Sequence, residues 1–145
     1  MSAAPNAAAR VNSLDWQRIS QELDSQGSIV LERLISVDQC QALAAMYPKD
    51  ELFRSRVVMG RHGFGRGEHK YFNCSLPDII AELRTGLYAR LALVANRWNA
   101  AMGSEIRYPE KHAEFLERCH SAGQVRPTPL FVALYAAWCG RRGCS

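Results

Sequence analysis

Apolar positions recur with helical spacing at four places along the chain. Trp16, Ile19 and Leu23 fall at i, i+3 and i+7, which predicts one face of a helix. Asn12 or Ser13 suits its N-cap, Asp15 suits its first turn, and Gly27 is a natural stop. Ser36 and Gln39 have the spacing of a capping box and predict a second helix, with Cys40, Leu43, Ala44 and Tyr47 as its buried stripe and Pro48 past its end. Ile80, Leu83, Leu87, Leu91, Val94 and Trp98 keep one face of the longest predicted helix. Pro77 suits its first turn and Gly103 lies beyond its end. Gly86 weakens it by about 1 kcal/mol. Phe115, Leu116 and Cys119 form the face of a fourth helix, closed by Gly123.

Between these helices lie short stretches with strand character. Ile29 to Leu31 is β-branched at its start and reads as a strand, as does Phe53 to Met59. The segment GRHGFGRGEHKYF reads as two strands around a glycine loop. Pro129 to Tyr135 reads as a terminal strand. The expected class is therefore α+β. With so few strands, the apolar terminal strand is expected to lack partners, which hints at an incomplete sheet.

Residues 1–12 are small and polar and are expected to be a disordered leader. With 145 residues, 48% of them hydrophobic and 22% charged, the chain suits one domain with a real core. A net charge of +4 permits contact with an anion without demanding it, so nucleic acid is disfavoured as a partner. No apolar run is long enough to span a membrane, and MSAAPNAAAR has no apolar signal core; a cytoplasmic location is expected. Cys40, Cys74, Cys119, Cys139 and Cys144 contain no C-x-x-C pair and are expected to be free thiols.

No residue set makes a strong catalytic or metal constellation. His112-Ala113-Glu114 has the H-x-E spacing of a non-haem iron pair, but on a helix those residues point roughly 200° apart. His62, Glu68 and His69 match no metal spacing, and Arg61, Arg66 and Lys70 would repel a cation. GFGRG lacks the helix that follows a phosphate loop. Ser121 and Cys119 flank His120, yet neighbours on a helix do not face each other. Arg61, His62, Phe64, Arg66, Lys70 and Tyr71, with Phe72 beside them, fit better as a basic, aromatic surface for a peptide or a nucleic-acid strand.

Three longer stretches carry a resemblance. FRSRVVMGRHGFGRGEHKYF, LPDIIAELRTGLYARLALVANRW and FLERCHSAGQVRPTPL together resemble the N-terminal half of a bacterial family of iron(II)- and 2-oxoglutarate-dependent, prolyl-hydroxylase-like oxygenases. The resemblance covers roughly residues 13–135. It implies N-terminal helices against a double-stranded β-helix, or jelly roll. It implies an iron(II) and 2-oxoglutarate chemistry that hydroxylates an unactivated C–H bond, on a peptide or small-molecule substrate. It places Tyr135 near 2-oxoglutarate.

The sequence also departs from that family. After Tyr135 it reads AAWCGRRGCS, where the family pattern implies an H-x-D pair and, later, a distal histidine. The expectation is a truncated or frameshifted oxygenase with an aberrant tail over 136–145. It would bind neither iron nor 2-oxoglutarate alone and would have no catalytic or metal residues of its own. The alternative is a non-catalytic module that binds a peptide or nucleic acid through the basic, aromatic segment.

Overall fold

The computed structural model describes residues 6–63 and 65–134. Their class is α+β, with five α-helices and a three-stranded antiparallel sheet. The chain divides into two units, one of residues 1–40 and 77–125, the other of residues 41–76 and 126–145.

The first unit is helical. Asn6 caps helix α1 (Ala7–Ser13) through its side chain, which accepts from the Ala9 N–H at 2.8 Å. Ala7 and Val11 on this helix are fully buried. Residues 1–5 of the expected disordered leader lie outside the described residues, and residues 7–12 of it are helical. Residues 7–12 hold a capped helix because two apolar side chains one turn apart find a partner surface. That surface is helix α4 (Asp78–Ala101). A β-carbon added to Gly86 would stand 3.5 Å from Val11, an ordinary van der Waals contact, so Val11 packs over this position with room for a methyl group.

Asp15, not Asn12 or Ser13, caps helix α2 (Trp16–Gln26), accepting from the Arg18 N–H at 3.1 Å. Gly27 ends it in the left-handed conformation, as the sequence suggests. Ile29 to Leu31 does not form the expected strand. Among the described residues the helical unit offers no strand for it to pair with. Ile29 and Leu31 instead line a groove of about 220 Å³ with Leu14, Arg18 and Ile19. Helix α3 (Val37–Met46) opens with the expected capping box: the Ser36 N–H donates to Gln39 Oε1 at 3.0 Å, and the Gln39 N–H donates to Ser36 Oγ at 3.1 Å. Its expected buried stripe does not form. Cys40 and Ala44 are exposed, and Leu43 and Tyr47 are half-buried. Helix α5 (His112–Ser121) forms where its periodicity places it, with Phe115, Leu116 and Cys119 half-buried.

The second unit is the sheet. Strands β1 (Phe53–Val58), β2 (Gly67–Phe72) and β3 (Leu130–Leu134) run antiparallel in the order β1-β2-β3. A register shift at Arg54 separates the pair Phe53 and Phe72 from the pair Ser55 and Tyr71. The C-terminal strand is not without a partner as expected: it pairs with β2 from Gly67 opposite Leu134 to Tyr71 opposite Leu130. Gly67 is needed there, since a β-carbon would lie 2.8 Å from the Ala133 carbonyl oxygen. Between β1 and β2 the chain makes a 3₁₀ turn over Met59–His62 and then uses Gly63 and Gly65, with φ of 73° and 93°, in the left-handed region.

Candidate functional site

Strand alternation sends Glu68, Lys70 and Phe72 to one face of β2, and His69 and Tyr71 to the other. The first face is the more interior one. Phe72 is fully buried and packs its ring against Phe53 at 4.9 Å and Phe131 at 4.8 Å. Glu68 and Lys70 are also buried, at 3% and 6% exposure. A buried charge is tolerable only when paired and hydrogen-bonded, and both are. The Glu68 carboxylate accepts from Arg56 Nε at 2.6 Å and from the Tyr47 hydroxyl. The Lys70 ammonium donates to Asp50 Oδ1 and to the Tyr47 carbonyl, each at 2.9 Å. It also lies 4.4 Å from the centre of the Tyr47 ring. Tyr47 thus touches both charges.

On the opposite face His69 meets Tyr71 edge-on at 5.3 Å, and the Arg54 guanidinium covers the Tyr71 ring at 4.7 Å. Arg54 also donates to the Pro127 carbonyl at 3.2 Å, which ties the R-P-T-P stretch to β1.

The expected basic, aromatic surface is therefore divided. Arg61, His62 and Arg66 are exposed at the hairpin tip. Lys70 is withdrawn into the interior, because alternation puts it on the same face as Glu68 and Phe72. Tyr71 is half-buried beneath Arg54. Phe64 and Tyr135 lie outside the described residues.

The A-N-R-W stretch proves to be a set of clamps. Asn96 binds the Tyr108 backbone twice: its amide donates to the carbonyl at 2.8 Å, and its oxygen accepts from the N–H at 2.7 Å. Arg97 donates to both oxygens of Asp24 at 2.8 Å, and the Trp98 indole donates to the same carboxylate at 2.7 Å. The Arg97 hydrogen bond, then that of Trp98, hold the Asp24 carboxyl below its ordinary pKa. Periodicity places Trp98 on the apolar face of α4 but says nothing of Asp24, which is distant in sequence.

The iron expected from the resemblance can be tested against these positions. His112 and Glu114 do sit on a helix, α5. His112 Nδ1 lies 3.3 Å from Thr85 Oγ1 and its ring rests against Tyr88 at 5.1 Å, while Glu114 is exposed. Burial, reinforced by the positive charge of Arg84, pushes the His112 pKa below its ordinary value. His62 is exposed at the tip, Glu68 is committed to Arg56 and Tyr47, and His69 faces away from Glu68. Among the described residues no three His, Cys, Asp or Glu side chains gather as a metal site. These residues do not fit a two-histidine, one-carboxylate centre.

Known proteins bear on the same segment. Residues 67–138 match the model of an oxygenase family. That family is described as an oxygenase catalysing oxidative methylation of damaged DNA, and the matched region runs from β2 through α4 and α5 to β3. Two uncharacterized proteins of Mycobacterium tuberculosis, from strains CDC 1551 / Oshkosh and ATCC 25618 / H37Rv, are each 36% identical over 76 residues. The alignment covers 50% of this chain and 33% of each relative, so the chain spans about a third of the length of the curated relatives it matches. No solved structure matches the chain significantly. No helix among the described residues is long and apolar enough to cross a membrane.

Proposed function

We propose that this chain carries part of an iron(II)- and 2-oxoglutarate-dependent oxygenase acting on nucleic acid, and that its own residues do not hold the iron. In this reading β1, β2 and β3 belong to a double-stranded β-helix. The observation that carries the proposal is the oxygenase-family match over residues 67–138. That family's description supports nucleic acid as substrate over a prolyl or small-molecule one.

The second half of the proposal is supported by how the candidate ligands are used. Glu68 is occupied by Arg56 and Tyr47, His112 is bound up with Thr85 and Tyr88, and His69 packs on Tyr71. Each has its contacts within the fold, and Glu68 and His69 lie on opposite faces of β2. The chain's part in the reaction is then to build and brace the β1–β2–β3 sheet.

Turnover tests this directly. The purified chain would be incubated in air with iron(II), ascorbate and 2-oxoglutarate, and succinate measured with and without a methylated oligonucleotide. Succinate at the level of the protein-free control is expected. Oligonucleotide-stimulated succinate would show that the chain holds a working iron site and would overturn the second half.

A further inference from the structure

The β1–β2 hairpin tip has features that the bracing role does not use. Arg61, His62 and Arg66 are exposed, and among the described residues none of the three side chains has an ion-pair or hydrogen-bond partner. The tip is compact. The Gly65 carbonyl lies 3.6 Å from where a β-carbon on Gly60 would stand, and the left-handed Gly63 and Gly65 close the turn. The cations therefore sit on a folded loop and are not strung along an extended one.

Charge around the tip is unbalanced. The only acidic residues of the sheet unit are Asp50, Glu51 and Glu68. Lys70 engages Asp50, and Arg56 engages Glu68. Two of the three acids are thus already engaged by other cations of the unit. Two arginines and a histidine on a closed turn, facing water with no acid assigned to them, suit an anion presented from outside. Arginine's planar fork binds phosphate oxygens in pairs.

We propose that Arg61, His62 and Arg66 form a contact surface for the phosphate backbone of single-stranded nucleic acid. The choice of a nucleic-acid strand over an acidic peptide rests on the oxygenase reading above. The placement of the surface rests on the tip alone. Binding needs no iron, so the two can fail separately.

The test is fluorescence anisotropy of a labelled oligothymidylate against the whole chain across a salt series. Affinity is expected to fall with salt. Arg61→Ala with Arg66→Ala is expected to weaken binding by about tenfold at ~50 mM salt and to make the salt slope shallower by about 1.4, for two lost phosphate contacts. Lys49→Ala with Arg126→Ala removes the same charge elsewhere in the sheet unit and is expected to change affinity less than twofold. The circular dichroism of both variants should match that of the parent, since all four side chains are exposed. Three results would overturn the proposal: no oligonucleotide binding, equal losses in the two double variants, or a polyglutamate peptide bound as tightly as the oligonucleotide. Unchanged succinate in the iron experiment would leave this outcome untouched.

Discussion

The two units solve the problem of polar residues in opposite ways. In the helical unit, polar side chains reach across the surface to backbone or to one another: Asn96 to Tyr108, Tyr88 to the Pro109 carbonyl, Arg97 and Trp98 to Asp24. The charges stay in contact with water, and the buried side chains, Val11, Ile19, Ala92 and Val94 among them, are all apolar. In the sheet unit, Glu68 and Lys70 are taken inside beside Phe72. A helix can turn its charges outward by rotation, but a strand must alternate. With Phe72 buried, Lys70 and Glu68 share its side of the strand and need internal partners. The lesson is that basic residues close in sequence on a strand are not a surface until alternation is considered.

The largest way to strain this comparison is to remove Phe72. Phe72→Ala empties the contact among Phe53, Phe72 and Phe131 and is expected to destabilise the protein by about 4 kcal/mol in urea unfolding. A loss under about 1 kcal/mol would mean the sheet's interior is not where its stability lies.

Glu68→Ala is expected to be next, at about 2–3 kcal/mol, because Tyr47 loses its acceptor while Arg56, 59% exposed, can return to water. Asp24→Ala removes a carboxylate with comparable hydrogen bonding in the helical unit. It should cost clearly less, since Asp24, Arg97 and Trp98 all remain hydrated. Equal losses would erase the distinction between the units.

One substitution should have opposite signs in the two places. Gly67→Ala pushes a methyl against the Ala133 carbonyl and is expected to cost about 1–3 kcal/mol. Gly86→Ala meets Val11 only at ordinary contact distance and relieves a helix-interior glycine, so a gain of up to about 1 kcal/mol is expected. Melting temperatures of the two variants would settle it.

The smallest effect is in pH. Burial lowers the His112 pKa in the folded state, so below the ordinary imidazole value the unfolded chain takes up the proton first. Stability should be level above that value and fall as pH drops through it toward the folded value. His112→Gln should flatten the decline. Asp24, also lowered, acts in the other window: its contribution is present above the ordinary carboxylate range and is lost only at more acidic pH.

Much of this was legible in the chain. Periodicity located α2, α4 and α5, and the S-x-x-Q box opened α3, but the glycine-rich segment holds one strand, β2, and not the expected two: its first part is a 3₁₀ turn, and the hairpin partner is β1. What sequence missed depended on partners far away. Nothing local to residues 7–13 announces that Val11 meets Gly86, and Ile29 to Leu31 has strand composition but, among the described residues, no strand in its own unit. Lys70 looked like part of a basic cluster because adjacency in sequence hides the two faces of a strand. For the candidate site, composition singles out Arg61, His62 and Arg66, and the structure adds that all three are exposed. The pairing of Glu68 with Tyr47 and Arg56 had no sequence signal, being set by strand register and by the chain that leaves α3.

The central claim is that Glu68, His69 and His112 serve packing and that residues 6–134 do not hold iron. An anaerobic titration of the purified chain with iron(II) and then 2-oxoglutarate tests it most directly, followed by visible absorbance. No charge-transfer band should develop, and iron should pass freely through a desalting column. A saturable band at one equivalent, retained on the column and lost in His112→Ala or His69→Ala, would contradict the account.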